Sequence, residues 1–581
     1  MGGYVVHPGL APGVVEARAY QLQALDEAMS GSTLLVLPTA AGKTAVAWMA
    51  IVERIARKGG WALVMAPTVA LANQHLQNTT PVLSESTDLK PISLSGQQPA
   101  SKRENLWKGS KLVFATPQVV RNDAKSGRLS LRDCSLLVVD EAHHCTGEHA
   151  MAEAAELYVS QALDPLILAT TASPGSRKDQ VEEICNRLGV QKIHLRTPDD
   201  SMVAEYLAEL EVSEEKVEVP IEIRDLAEPF IIWQEGIVDR ERMSGRYIMP
   251  GIITQSGLSN AMERAQTAIQ RGDPSGYRSS SQIATAMRLH HLINHLLCQG
   301  VAASRQFLSR MTEEGGSSKS SKDFLRDQRV RSLAETLGRM DEVHSKVGAV
   351  RRLVRGRLRR DPDARVIVFA NYRDTVDALE NALSGLEGAR AIQFIGQSSR
   401  GGSGGLTAKE QISRLEEFGS GSANVLVATS VGEEGLDIPS ADLVIFYEPV
   451  SSEIRTIQRR GRTGRRREGE VVVLVAEGTR DEGAKESARR KEEFMHKAVR
   501  RVSRGLSGNP HKDLANLISF GVSSNDGHCS AADFVLEARE RHRGELQMSD
   551  PTPLAGSGGN GGDPLPPQNF RPAGQTGLDQ F

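Results

Sequence analysis

Three short clusters in this 581-residue chain combine the residue types that phosphoryl transfer uses. The first is Pro38-Thr39-Ala40-Ala41-Gly42-Lys43-Thr44, set between an apolar run, Leu34–Leu37, and an apolar helical segment. Backbone N–H groups from Thr39 to Gly42 at such a helix N-terminus can cradle phosphates. Lys43 can reach the β and γ oxygens, and the Thr44 hydroxyl can ligate Mg²⁺. The second is Asp140-Glu141-Ala142-His143, directly after the apolar run Leu136–Val139. From the end of a strand Asp140 can hold Mg²⁺, and Glu141 can polarise an attacking water, which separates an ATPase from a nucleotide binder. The third is Gln458-Arg459-Arg460-Gly461-Arg462-Thr463-Gly464-Arg465. Arg462 and Arg465 have the spacing of cationic fingers that engage the γ-phosphate when two domains close. Taken singly, the acidic pair could be a surface feature and the arginines a generic phosphate patch. Taken together, the three predict ATP hydrolysis with Mg²⁺.

These clusters need strand ends and helix starts to hold them. Short Val/Leu/Ala-rich runs, Leu34–Leu37, Ala62–Met65, Leu112–Ala115, Leu136–Val139 and Leu166–Ala169, alternate with longer segments of helical period. Such alternation predicts a buried parallel sheet with crossover helices. The rhythm returns in Val366–Ala370, Ala391–Ile395, Val425–Ala428, Leu443–Tyr447 and Val471–Val475, so a second α/β domain is expected. Between them, over about 225–345, β-branched runs vanish, and Ile283, Met287, Leu289 and Ile293 stand near helical spacing. This predicts a helical insert, interrupted by a small-polar loop at Gly315–Ser321. Residues 549–581 hold 7 Gly and 6 Pro, a composition that predicts a disordered tail. The expected organisation is a first α/β domain over 1–205, a linker and helical insert over 206–345 and a second α/β domain over 346–505. An unassigned, partly helical segment over 506–548 precedes the tail.

Composition narrows the classes further. No apolar run approaches the 18 or so residues that cross a bilayer, and no charged-then-apolar leader opens the chain. The five cysteines are scattered with no C-x-x-C pair, which argues against disulfides or zinc and for a reducing cytoplasm. His144, His149, His290, His291 and His295 lack metal-ligand spacing. The net charge is −3, yet residues 451–505 carry 16 Lys and Arg against 9 Asp and Glu, and six arginines crowd the stretch 351–360. Either segment could be a solvated helix face or a polyanion-binding surface.

The ordered set of motifs resembles the superfamily 2 helicases over residues 18–465. That resemblance implies two RecA-like motor domains. It also implies that Arg18-Ala-Tyr20-Gln21 is the adenine-recognition motif, with Gln21 reading the base. Ala66-Pro67-Thr68, Ala115-Thr116-Pro117 and Ala428-Thr429-Ser430 are similar to the motifs that track a nucleic-acid strand, and Thr171-Ala172-Ser173 to the one that links hydrolysis to strand separation. Gly432-Glu-Glu-Gly435-Leu-Asp437 resembles the motif touching both nucleic acid and nucleotide, with Asp437 near the ribose. His143 is expected to bond across to Gln458, or to Thr171 and Ser173, and to relay the nucleotide state.

Longer phrases narrow the resemblance to the archaeal Hef helicases and their eukaryotic FANCM relatives, over about residues 15–500. They are Ala115–Asp123, Thr170–Gly175, and Thr429–Pro439 continuing to Phe446–Pro449 and Ile457–Arg465. The resemblance implies a thumb-like helical insert that recognises branched DNA, and 3′-to-5′ travel. The chain departs from the pattern at Leu37 and Ala40, where glycines are usual, and at Val69, where a Lys or Arg commonly contacts the strand. No Glu-Arg-Lys-x-x-x-Asp signature of an XPF-type nuclease is present.

The expectation is therefore a cytoplasmic, nucleoid-associated ATP-dependent DNA helicase or translocase acting on forks and junctions. A Dicer-type ATPase driven by double-stranded RNA and a recruitment platform with a weak motor are the rivals. The segment Gln575-Thr-Gly-Leu578-Asp-Gln-Phe581 resembles the sliding-clamp (PCNA) box, which would seat Leu578 and Phe581 in an apolar pocket beside Gln575.

Overall fold

The computed structural model describes residues 3–38, 41–206, 212–313, 319–396, 405–429, 441–449, 470–506, 513–525 and 527–548. The first α/β domain is built on seven parallel strands in the order β4-β5-β3-β6-β7-β2-β8. They are β2 (Thr33–Val36), β3 (Trp61–Met65), β4 (Ile92–Leu94), β5 (Leu112–Ala115), β6 (Cys134–Asp140), β7 (Ile167–Thr171) and β8 (Lys192–Leu195). β2, β5 and β7 are buried along their whole length, and so is β6 up to Asp140, because helices cover both faces of a parallel sheet.

The second sheet has the order β11-β12-β10-β13-β14-β9, again all parallel. Its strands are β9 (Val212–Val217), β10 (Val366–Ala370), β11 (Ala391–Phe394), β12 (Val425–Thr429), β13 (Leu443–Phe446) and β14 (Glu470–Ala476). β9 corrects the expected boundary: its residues, assigned from sequence to the linker and insert, form the edge strand of the second domain. Val-Ser-Glu-Glu-Lys-Val is too polar to read as a buried strand, and an edge position tolerates that polarity.

The insert is helical as expected. Among the described residues it comprises Ile221–Met243, Gln255–Gln270, Ser275–Cys298, Val301–Glu313, Lys319–Arg326 and Gln328–Arg339 around one apolar core. The loop expected at Gly315–Ser321 falls partly outside the described residues, and its last residues already belong to Lys319–Arg326. The insert is tied to the second domain by buried polar bonds. The Tyr447 hydroxyl donates to the Gln299 carbonyl at 2.7 Å, and the Thr375 hydroxyl donates to Gln299 Oε1 at 2.7 Å. Lys346, fully buried, donates to the Tyr447 carbonyl at 2.6 Å and pairs with Asp481.

Residues after 505 acquire a structural place. β15 (Gly521–Ser524) joins β1 (Gly3–Val6) on one side and β16 (Gly527–Ser530) on the other, all antiparallel. The helix Ala531–Met548 buries Ala531, Val535 and Ala538 in the core of the first domain. The helix Arg480–Gly505 leaves β14 of the second domain and seats Met495, Ala498, Val499 and Val502 beside Val181, Ile184 and Cys185 of the first. It straps one motor domain to the other. No described helix is long and apolar enough to cross a membrane.

Candidate active site

The chemistry gathers at the carboxyl edge of the first sheet. β2 runs through Leu37 and Pro38 to Ala41 and Gly42, and the helix Lys43–Lys58 starts at once. Gly42 has φ +76°, a conformation that favours glycine, and a Cβ there would lie 2.1 Å from Gln21 Nε2 and push that amide aside. Gln21 is buried and donates to the Ala41 carbonyl at 3.0 Å, where the Tyr20 hydroxyl also donates at 2.8 Å. Gln21 thus fastens the loop before Lys43 to the helix Ala19–Met29. Arg18 pairs with Glu16 at 2.6 Å and lies 5.1 Å from the centre of the Tyr206 ring. Lys43 Nζ donates to the Leu37 carbonyl at 3.3 Å, folded back along the loop. With no acidic residue in its first turn, the positive dipole end of the helix is not neutralised from within that turn.

Asp140 ends β6 and sits opposite Thr170 on the neighbouring strand. Its Oδ1 accepts from the Thr170 hydroxyl at 2.7 Å, and its Oδ2 meets His75 Nε2 at 2.8 Å. Burial pushes this carboxyl up, but the His75 hydrogen bond and charge, the Thr170 hydroxyl and nearby Lys43 outweigh it and hold the pKa down at about 2. A cavity of about 20 Å³, enough for one water-sized ligand, is lined on one side by Lys43, Thr44, His75, Asp140 and Thr170 and otherwise mainly by apolar side chains such as Ile51, Phe114 and Val138. Its hydroxyl and carboxylate oxygens are hard donors that suit Mg²⁺, which binds through one or two protein oxygens and keeps its waters.

Glu141 adopts the left-handed conformation, φ 52° and ψ 51°, which for a non-glycine residue costs on the order of 1–3 kcal/mol. The turn brings the chain back across the sheet edge. His143 Nδ1 then lies 3.5 Å from Glu141 Oε2 and 3.3 Å from the Thr171 hydroxyl, which also accepts from Ser173 N at 3.1 Å. Of the alternatives for His143, the structure places Thr171 in contact. Gln458 lies outside the described residues.

Next to this cluster, on the adjacent strands β3 and β5, two further helices begin. Thr68 follows Pro67 and caps Val69–Thr79, its hydroxyl accepting from Leu71 N at 3.2 Å. Thr116 and Pro117 occupy the cap and first position of Pro117–Lys125. The nucleotide-type and strand-tracking-type residues therefore share one edge, and Thr429 ends β12 on the second sheet. Thr39, Ala40, Ser430, Gly435, Asp437, Arg462, Arg465, Gln575, Leu578 and Phe581 lie outside the described residues. His75 was not foreseen, since nothing in its local pattern marks it. Thr170 was legible only as part of a longer phrase, and its register opposite Asp140 explains it.

Residues 18–181 match the DEAD/DEAH box helicase family and residues 345–467 the helicase conserved C-terminal domain. Residues 253–344, within the insert, match the family described as putative ATP-dependent RNA helicase, helical bundle. The crystal structure of the Pyrococcus furiosus Hef helicase domain is 34% identical, covers 81% of this chain and 98% of its own, and superposes with a TM-score of 0.60. The chain belongs to the Hef helicase family. Among curated Hef-like relatives, the putative ATP-dependent RNA helicase MJ1505 of Methanocaldococcus jannaschii is 36% identical over 86% of this chain and 63% of its own length. The ATP-dependent DNA helicase mph1 of Neurospora crassa is 30% identical over 80% of this chain and 41% of its own. The chain thus spans less than two thirds of these two relatives.

Proposed function

We propose that this Hef-family chain is an ATP-dependent DNA helicase or translocase acting on branched DNA such as forks and junctions. The observation that carries the reading is the single sheet edge on which Lys43, Thr44 and Asp140 line one small cavity, with Glu141 turned back beside them and Thr68 and Thr116 on adjacent strands. Thr44 and Asp140 would hold Mg²⁺, which neutralises phosphate charge when bound. Lys43 and the loop N–H groups would bind phosphates, and Glu141 would orient and deprotonate the attacking water. Arg462 and Arg465 would complete the charge stabilisation from the second domain, with Gln458 beside them and Asp437 and Gly435 at the ribose side. Thr68, Thr116, Thr429 and Ser430 would hold strand phosphates, and His143, Thr171 and Ser173 would couple the two events. The insert would supply preference for branched substrates.

The test compares ATPase rates on fork DNA, linear duplex DNA and duplex RNA at matched salt. The reading expects fork DNA to stimulate most. Stimulation by duplex RNA alone would favour the second reading, an RNA-dependent ATPase, which the naming of both MJ1505 and the helical-bundle family as RNA helicases supports. Recruitment through Gln575, Leu578 and Phe581 is a separate proposal. Leu578→Ala with Phe581→Ala is expected to abolish capture by a sliding clamp, and undiminished capture would remove it.

A further inference from the structure

The helix Ser345–Arg360 carries seven Lys and Arg and no Asp or Glu. Its apolar face, Val347, Val350, Val354 and Leu358, packs into the second domain, and this accounts for its helicity and position. Three of its cations are used internally: Lys346 is buried against Asp481, Arg352 pairs with Glu215, and Arg357 lies 3.8 Å from Asp442. Arg351, Arg355, Arg359 and the terminal Arg360 remain exposed, with no carboxylate partner among the described residues. Attraction to the helix dipole explains basic residues in the last turn only, which leaves Arg351 and Arg355 without that reason.

Arg351, Arg355 and Arg359 recur every four residues, so their Cα atoms rise by about 6 Å per step and stand in one row about 12 Å long. Gly348 and Gly356 put no side chain between them. A trough of about 510 Å³ results, lined by Gly348, Arg351, Arg352, Arg355, Gly356 and Arg359. The row begins at the carboxyl edge of the second sheet, where Lys346 binds the Tyr447 carbonyl just after β13, and it runs away along the outer face of that domain. It lies apart from the residues assigned above to strand tracking.

We propose that this arginine row is a second nucleic-acid contact, which binds the phosphate backbone of a duplex DNA arm outside the motor cleft. A regularly spaced polyanion fits a regularly spaced row of guanidinium groups. At one phosphate per 3.4 Å of each strand, a 12 Å row faces about three or four phosphates. The side chains are planar donors that bind phosphate bidentately, and no carboxylate lines the trough itself, the Glu215 carboxylate beside it being paired with Arg352. Such contacts position a duplex without reading its sequence. The inference rests on the DNA-motor reading and adds where a branched substrate's second arm is held.

The test is equilibrium binding of the full chain, without nucleotide, to fork DNA, to linear duplex and to single-stranded DNA across a salt series. The variant is Arg351→Gln with Arg355→Gln and Arg359→Gln. Fork and duplex affinity are expected to fall at least about tenfold near 0.1 M salt, and the slope of log affinity against log salt to drop by between about 2 and 3, as three lost phosphate contacts require. Single-strand affinity and single-strand-stimulated ATPase should stay at the parent level. The triple Lys variant, which keeps the charge, should retain most of the slope and so separates lost contacts from misfolding. An unchanged fork affinity and slope overturns the inference, as does an equal loss on single strands. Loss of binding to phosphatidylserine vesicles with DNA binding intact overturns it in favour of a lipid surface. If the parent itself binds no DNA, the DNA-motor reading fails and not the row alone.

Discussion

Under the proposed function, Glu141 and His75 would act on the same reaction from different distances. Glu141 is held in a left-handed turn that no side chain adopts freely, and the strain fixes its carboxylate beside His143 instead of letting it follow the strand. Glu141→Gln keeps shape and hydrogen bonding but cannot take a proton. Turnover is expected to fall by about 10²–10⁴-fold while the KM for ATP changes little. Steady-state ATPase on fork DNA checks this, and near-parental turnover would remove Glu141 from the role. His75 lines the cavity but spends its Nε2 on Asp140 Oδ2, so its proposed part is to position that carboxylate. His75→Ala is expected to raise the Mg²⁺ requirement by roughly 10–100-fold, as loss of an outer partner of a metal ligand does. His75→Gln should recover part of it. A Mg²⁺ titration of ATPase that is unchanged in His75→Ala would show the contact to be only structural.

At the scale of elements, the junction between the insert and the second sheet is unusually rich in buried titratable groups. Burial raises the Glu448 carboxyl to about 7, while its Oε2 accepts from Asn371 N at 3.1 Å. Burial lowers His344 and His290 to about 4 and His295 to about 3, the last packed between Phe307 and Tyr372. The signs oppose. Glu448, raised in the folded state, favours folding fully below its ordinary value near 4.5, and that contribution is lost as pH rises through about 7. The histidines, lowered in the folded state, favour folding above about 6.5 and lose that contribution as pH falls toward 4. Glu448→Gln should therefore flatten the decline in thermal stability between pH 5 and 8, by an amount on the order of 3 kcal/mol at the upper end. Thermal melts of parent and variant across that range check it. Parallel curves would mean that Glu448 ionises in the folded chain at its ordinary value.

For the molecule as a whole, the first motor domain is completed by residues from the far end of the chain. Leu514, Leu517, Phe520 and Val522 enter its core together with the helix Ala531–Met548. Each such side chain contributes roughly 1.5–3 kcal/mol when buried. Truncation after Leu506 should lower the calorimetric transition of the first domain and spare that of the second, whose core among the described residues contains none of these side chains. The strap helix makes a complementary case. Val499 is fully buried between the domains' elements, and Val499→Asp would place a charge in an apolar core at a cost of more than about 3 kcal/mol. Its expected signature is a lowered first transition with weakened coupling of DNA binding to ATPase. Unchanged melting of either variant would mean that these segments merely rest on the surface.

Local pattern determined a great deal here. Gly-Lys-Thr after an apolar run and Asp-Glu-Ala-His after another specify strand-to-helix turns and the donors at them, because phosphate binding needs those residue types on contiguous backbone. Two parallel sheets and a helical insert followed from hydrophobic period, which is a property of each segment alone. Tertiary structure decided what depends on pairing between distant segments. Polar β9 became a strand because the edge of β14 offered hydrogen bonds, β1 found β15 across almost the whole chain, and His75 met Asp140 because neighbouring strands in space are not neighbours in order. The arginines at 351–360 were visible as a crowd. Only the packed helix separated Arg352 and Arg357, which are paired within the fold, from Arg351, Arg355 and Arg359, left facing outward in a row.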